Sequence, residues 1–344
     1  MNLLITTQAV DLDDPILGFM HRWIEELSKR FDKVHVICLK EGRHDLPKNV
    51  FVHSLGKESG ASRVKYVTRF YRYIREFRGQ YDTVFVHMNA EYVCLGGPLW
   101  RAWGKHIVLW RNHKVSGLST SIAVRFSDAV CYTSASSFVS KFKNAVKMPI
   151  GIDTDLFKPA SVLPKQGSIL FLGRLDPVKK VAEFVRALNS LHEKGIAFSA
   201  TIIGDPTDPK SNYAHDVRNS ASALALDGTI AMRPGVTNDA ARELFASHAI
   251  YCNLTPSGSF DKTIGEAMAS GATVVVANDA VRGAVPSELI VDPDSVESVA
   301  KGIRAALEMP EGERQKLALS GRDYIVREHS LALLIERLSK LLAV

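Results

Sequence analysis

Lys262, Thr263 and Ile264 open a short helix that Asp261 is placed to cap, and Glu266 follows one turn in before Gly271 ends it. An apolar run, Ala249 to Leu254, leads in and another, Thr273 to Ala277, leads out, so the stretch reads as strand, loop, helix, strand. In such a unit the loop lies at the carboxyl end of a parallel strand. The first helical amides and the positive end of the dipole then suit a phosphate. Lys262 adds a charge, and Glu266 on the same face can accept hydrogen bonds from paired hydroxyls such as those of a ribose. The plainer alternative is a solvated helix with a Lys262–Glu266 surface ion pair. Lys before Glu is the less favoured order, so local stability explains that pair poorly.

A second group of charges precedes the helix expected from Val181 to Glu193. The strand Ser168 to Gly173 runs into Arg174, Lys179 and Lys180. Cations at a helix start cost roughly 0.3 to 1 kcal/mol each when exposed, which implies a compensating anion. Side chains simply turned to water fit Lys180 better than Arg174. Gly204 follows the strand Ser199 to Ile203, and Arg233 to Val236 follow Thr229 to Met232. In the first half, the strand Asn2 to Thr7 leads through Asp11, Asp13, Asp14 and Gly18 into a helix at Phe19 to Phe31. That loop has no Gly-x-Gly-x-x-Gly pattern and suits sugar hydroxyls better than pyrophosphate. The strand His106 to Trp110 ends in Arg111, Asn112 and His113, where open α/β sheets place ligand contacts. His113 is the candidate for a cleft between domains.

These loops need parallel sheets to carry them, and a chain of 344 residues is long enough for two domains. The expected division is 1–160, then 161–325 after a Pro- and Gly-containing linker, then a C-terminal helix over 326–344 that packs back on the first domain. No apolar run reaches the roughly 18 residues of a membrane span, and the start has no basic leader, so a cytoplasmic protein is expected. Cys38, Cys94, Cys131 and Cys252 are scattered as buried thiols would be, and no His, Cys or carboxylate set has metal spacing. Over residues 1–150, 22 lysines and arginines oppose 13 aspartates and glutamates, whereas the remainder has 21 against 24. A basic first half points to an anionic surface or partner. The stretch Ser62 to Arg78, with Lys65, Arg69 and Arg72 among aromatics, suits a helix on an anionic bilayer, at about 1 kcal/mol per cation. It equally suits the surface helix of an α/β domain.

In this order, the second half resembles the retaining glycosyltransferases of family four, the group-one glycosyl transferases with the GT-B fold. The resemblance rests on Gly173-Arg174-Leu175 with Lys179, Ile203-Gly204-Asp205, Gly235-Val236, and Phe260 with Glu266-Ala267-Met268-Ala269-Ser270-Gly271. It spans about Ser168 to Leu307; the first half matches more loosely, through His113 and Gly151-Ile152-Asp153-Thr154 with Phe157. The family implies two Rossmann-like α/β domains facing across a cleft, with a nucleotide-diphosphate sugar on the second and a glycan or lipid-linked acceptor on the first. It implies no metal, no cofactor beyond that co-substrate and no nucleic acid partner. Carried over by position, Arg174 and Lys179 neutralise the diphosphate, and the amides of Lys262 to Ile264 hold its distal phosphate. Glu266 takes the ribose, backbone from Arg233 to Val236 meets the base, and His113 bonds the transferred sugar. Gly173, Gly204, Phe260 and Asp261 complete the donor side; Gly18, Asp14 and Asn112 are expected on the acceptor side.

Gly258 departs from the pattern, since the family usually has a glutamate there that reaches donor-sugar hydroxyls. Asp261, where a glycine is common, is one candidate to replace it. Lys180 also stands where a glycine is frequent. The implied reaction forms the new bond on the face the diphosphate leaves, the leaving phosphate accepting the acceptor's proton, as in cell-envelope glycan synthesis. The rival readings are a nucleotide-sugar epimerase of the same fold and a non-catalytic sugar-nucleotide binding protein.

Overall fold

The computed structural model describes residues 1–343. The chain forms two compact α/β units, one of Met1–Pro149 with the segment from Leu331, the other of Ile150–Ser330.

The first unit is a parallel sheet of β1 (Asn2–Val10), β2 (Lys33–Glu41), β3 (Val50–Ser54), β4 (Thr83–His87), β5 (His106–Trp110), β6 (Ala129–Tyr132) and β7 (Ala145–Lys147). Their order is β3-β2-β1-β4-β5-β6-β7. Between strands run α1 (Phe19–Ser28), α2 (Arg63–Glu76), α3 (Ala90–Ala102) and α4 (Leu118–Phe126). β1 is the near-continuous apolar run of a strand covered on both faces. Leu3 and Ile5 pack one way with Trp23 and Phe85, while Leu4 packs the other way with Phe70 and Trp100.

The second unit alternates β8 (Lys165–Leu172), α5 (Val181–Glu193), β9 (Ser199–Ile203), α6 (Asn212–Leu226), β10 (Ile230–Arg233) and α7 (Asn238–Ser247). It continues through β11 (His248–Asn253), α8 (Lys262–Ala269), β12 (Thr273–Val276), α9 (Val296–Glu308) and α10 (Glu311–His329). The strands, all parallel, lie in the order β10-β9-β8-β11-β12. α11 (Leu331–Leu342) then returns to the first unit, where Leu334, Ile335 and Leu338 are buried with Trp23 and Trp110.

Two boundaries differ from the sequence expectation. The join lies at Pro149/Ile150 rather than 160, because Ile150 and Ile152 are buried in the second core and Lys262 donates to the Ile150 and Gly151 carbonyls at 3.2 and 2.8 Å. The return begins at Leu331 rather than 326, because Ile325 and His329 still belong to the second unit, His329 Nδ1 accepting from Ile150 N at 3.4 Å. An unexpected strand, β3, pairs with the edge of the first sheet. No described helix is long and apolar enough to cross a membrane.

Beside β2, the His35 and His53 rings stack, with Nδ1 of one 3.0 Å from Nε2 of the other, and both lie on Phe77. Burial lowers both pKa values, and the His35 charge helps bring His53 to about 4. Lys33 acts on His35 in the same direction. A folded pKa below the unfolded value of about 6.5 means stability that is complete above that pH and is lost as pH falls toward 4. In urea titrations between pH 7 and pH 4, the wild type should lose stability relative to His53→Phe; a pH-independent difference would contradict this.

Candidate active site

With β8 central, the chain builds outward to β9 and β10 on one side before crossing to β11 and β12 on the other. The crevice at the carboxyl ends of β8 and β11 is therefore a topological switch point, where open α/β sheets bind ligands. Four of the loops singled out in the sequence end there.

The loops are laced together. Gly173 N donates to Ile203 O at 3.0 Å, Leu175 N to Asp205 O at 3.0 Å, and Gly204 N to Arg233 O at 3.1 Å. Gly235 N donates to Asp205 Oδ2 at 2.9 Å. Gly204, at φ 153°, lies so close to the next loop that a Cβ would come within 1.9 Å of Gly173 O. No other residue fits there.

Lys179 crosses to the far side of the crevice. Its Nζ donates to Asp261 Oδ2 at 2.7 Å and Thr255 Oγ1 at 3.1 Å. Asp261 caps α8, its Oδ1 accepting from Thr263 N at 3.3 Å and Thr263 Oγ1 at 3.1 Å. Asn253 Nδ2 and Thr255 Oγ1 also donate to Oδ2, at 3.2 and 3.1 Å. Burial alone would raise the carboxyl's pKa; the Lys179 ammonium and these donors outweigh it and hold Asp261 well below the usual carboxylate range. Lys179 and the Thr263 amide thus converge on one point, and a carboxylate of the chain itself lies there.

This arrangement revises several expectations. Asp261 is saturated by five donors and has no lone pair left for sugar hydroxyls, so it does not stand in for the glutamate missing at Gly258. Lys262 is turned away from the helix start onto the Ile150 and Gly151 carbonyls. Its partner in sequence, Glu266, is only 4% exposed. The two are no surface pair: burial pushes Glu266 up to about 7 against the pull of Lys262, and burial brings Lys262 down to about 8. Asn238, absent from the sequence expectations, donates to Glu266 from the start of α7. Ile264 and Phe260 are buried, Phe260 with its ring 4.9 Å from His329, so both anchor the loop from within.

Arg174 is exposed and held only at its tip, 3.2 Å from Asp176 and 3.0 Å from Thr207 Oγ1. Lys180 is not turned to water: it pairs with Asp294 at 2.5 Å, and its backbone is left-handed at φ 56°, a conformation that suits glycine. Arg233 is exposed at the end of β10 and Val236 half-buried beyond it.

In the first unit the acidic loop is already occupied by internal partners. Asp11 pairs with Lys40 at 3.0 Å and Asp13 with Arg43 at 2.7 Å, while Asp14 accepts from Ile16 N and Leu17 N and its carbonyl from Gly18 N. Asn112 is likewise structural, its Oδ1 taking Thr133 N at 2.8 Å. His113 is exposed beyond β5, its pKa lowered by partial desolvation and by Arg111. The switch point of this sheet lies between β1 and β4, and there Met88 is left-handed at φ 68° with its carbonyl on Arg111 Nη1 at 2.6 Å. Only the strand order, which the sequence does not show, could have singled out Met88. On α2, Lys65 and Arg72 are exposed, whereas Arg69 turns inward to the Leu55 carbonyl at 2.9 Å.

Residues 166–309 match the family model of the glycosyl transferases group 1. They form a group 1 glycosyl transferase domain. The fold is GT-B, as in several solved structures. HepE of Anabaena in complex with UDP-glucose is 16% identical, with a TM-score of 0.79 over 100% of this chain and 99% of that one. Sucrose-phosphate synthase of Thermosynechococcus elongatus is 15% identical, with a TM-score of 0.76 over 98% of each chain. An α,α-trehalose-phosphate synthase of Burkholderia xenovorans, in complex with glucose-6-phosphate, is 14% identical, with a TM-score of 0.71 over 99% of this chain and 100% of that one. Comparison with curated proteins gives no match.

Within the glycosyl transferase domain, the Lys179–Asp261 pair sets what an anion meets. Asp261→Gly is expected to raise affinity for pyrophosphate about tenfold by calorimetry, since it exposes Lys179 and the Thr263 amide. It should also lower stability by about 1–3 kcal/mol without ligand, through loss of the cap and of the counter-ion. Unchanged affinity would separate this cluster from anion binding.

Proposed function

We propose that the protein is a retaining, metal-independent glycosyltransferase that moves a sugar from a nucleotide-diphosphate sugar to a glycan or lipid-linked acceptor in cell-envelope glycan synthesis. The observation that carries this reading is the meeting of Lys179 and the α8 start at the switch point of a group 1 domain. UDP-sugar complexes of proteins with the same fold support a nucleotide-sugar donor.

In this mechanism the acceptor hydroxyl oxygen bonds to the anomeric carbon as the bond from that carbon to the phosphate oxygen breaks, and the leaving diphosphate takes the hydroxyl proton. The protein's part is to hold the two substrates together and to stabilise the departing charge. Lys179 exchanges Asp261 for a phosphate oxygen, and Arg174, tethered only at its tip, swings onto the diphosphate. The amides of Lys262 to Ile264 face the distal phosphate once Asp261 gives way. Glu266, with Asn238 fixing its carboxyl, takes the ribose, while backbone from Arg233 to Val236 borders the base. His113 serves the transferred sugar and the first unit holds the acceptor. A second reading, a sugar-nucleotide binder without activity, is favoured by Gly258 together with the carboxylate on Lys179. Donor consumption with and without acceptor separates the readings: transfer needs acceptor, epimerisation does not, and a binder shows neither.

Thermal-shift titration with uridine, guanosine and adenosine diphosphates and their sugars should single out one donor. With that donor, Lys179→Ala is expected to lower turnover about 10²–10³-fold, in the range for loss of one charge-stabilising donor. Arg174→Ala should lower it less, and neither change should alter the fold by circular dichroism. Full activity in both variants would remove the diphosphate assignment.

The proposed location is the cytoplasm, peripheral to the inner face of the membrane. Exposed Lys65, Arg72 and Arg75, beside Val64 at 73% exposure, form the docking stripe on α2. Sedimentation with anionic vesicles should fall on raising salt and in Lys65→Ala/Arg72→Ala; binding indifferent to both would refute it.

A further inference from the structure

The first sheet has its own switch point, between β1 and β4, where an open α/β sheet holds a ligand. The loop after β4 is strained there. Met88 is left-handed at φ 68°, and Asn89 N donates to His87 O at 2.9 Å, which closes a γ-turn of the rare, positive-φ kind. Met88 N donates to Trp110 O at 2.8 Å and Arg111 Nη1 to Met88 O at 2.6 Å, so the turn is fastened on both sides. Among the described residues one other non-glycine is left-handed, Lys180, and it stands in the loop after β8 at the switch point of the second sheet. The backbone outliers of the chain therefore mark one crevice in each sheet, and strain of this kind gathers at ligand sites.

The turn takes Asn89 away from the role its position suggests. Asn89 is the N-cap residue of α3, a place that favours asparagine for its bond to the helix amides, yet its side chain caps nothing. Its Oδ1 instead accepts from Gln8 Nε2 at 2.9 Å. Gln8 is the exposed residue in a strand otherwise buried beyond Asn2, and it lies two residues past Thr6, where the pairing of β1 with β4 stops. Two amides from the strands flanking the switch point thus meet across it. Gln8 Oε1 and Asn89 Nδ2 make no other hydrogen bond among the described residues, and both side chains are accessible. One accepts and the other donates.

We propose that this amide pair is a binding site for two adjacent hydroxyls of a neutral sugar. One hydroxyl donates to Gln8 Oε1 while its neighbour accepts from Asn89 Nδ2, a pattern that a vicinal diol meets and an ionised group does not. A phosphate or carboxylate has acceptors only and would set an oxygen against Oε1; an ammonium would set its hydrogens against Nδ2. The charges at this edge select neither sign, since Glu91 acts against Arg111, whose half-buried guanidinium is drawn in on the Met88 carbonyl. The inference rests on the reading that the first unit holds the acceptor. It puts Gln8 and Asn89 in the place that Asp14, Gly18 and Asn112 leave open by being bonded internally.

The test is nuclear magnetic resonance of the full-length protein, read at the side-chain amides of Gln8 and Asn89. The probes are methyl glycosides of glucose, galactose and mannose, which between them present cis and trans hydroxyl pairs, with inorganic phosphate and N-methylacetamide standing for an anion and a peptide group. At least one glycoside should shift both signals saturably. Gln8→Ala, which removes an exposed side chain and leaves the fold intact, and Asn89→Ala should each weaken that binding about tenfold, read at the amide that remains. No shift with any glycoside, an equal response to phosphate or N-methylacetamide, or unchanged affinity in either variant would overturn the proposal. Glycoside binding without donor consumption would leave this site standing and remove the transferase reading; transfer by a protein that binds no glycoside here would do the reverse.

Discussion

The Asp261 carboxylate and the Lys179 ammonium hold each other at the centre of the second sheet, and most of what the site can do follows from that contact. Removing either partner would leave the other's charge uncompensated, with 17% or 15% of its side chain exposed. Together they tie the loop after β8 to the loop after β11 without a ligand between them. The pair is satisfied at a cost in readiness. An incoming phosphate must offer Lys179 more than Asp261 does, and must displace a negative charge from the positive end of α8. A glycine at position 261 would leave the amides bare and the lysine mobile; the aspartate keeps both ordered. On the proposed function, donor affinity and ordering of the loops are therefore set against each other by one side chain.

α8 can carry this arrangement because both of its ends are fastened. Lys262 grips the Ile150 and Gly151 carbonyls at the start, and Arg322 reaches Ala269 O at the end while also holding Thr154 O and Phe157 O. Gly265 lets the segment approach, for a Cβ there would come within 2.6 Å of Ile150 Cδ1. The eight-residue helix is too short to persist by its own hydrogen bonds. It is a strut built into the start of the second unit, and that is why its first lysine faces inward.

The legibility of the chain follows the same division between local and distant causes. Strands buried on both faces appear as apolar runs, so β1, β5, β9 and β12 were readable, and so were the helix start at Lys262 and its stop at Gly271. β3 was missed because its residues are half-buried at the sheet edge, with Phe51 exposed and His53 among its inward positions. Asp261 was readable as a cap from local spacing, but its bond to Lys179 spans 82 residues and nothing in either segment announces it. Helical spacing places Lys262 and Glu266 on one face without saying whether that face meets water or core. The structure answers it: Lys262 lies on the Ile150 and Gly151 carbonyls and Glu266 is buried.

Lys180 shows how far a local anomaly can be taken. Three cations before a helix were read as the trace of an anion, and for Lys179 the structure supplies one, though it is Asp261. For Lys180 the counter-charge is Asp294, reached from a left-handed backbone that a lysine adopts only at a cost of order 1–2 kcal/mol. That strain lies directly between Lys179 and the first residue of α5, so it fixes the angle at which the loop leaves the helix. A glycine would adopt the same backbone without strain but would populate others as well, and Lys179 would then lose part of its orientation. Within this loop the strained residue and the paired one act together: Lys180 holds the turn from outside, and Lys179 delivers its charge across the crevice from β8 toward β11.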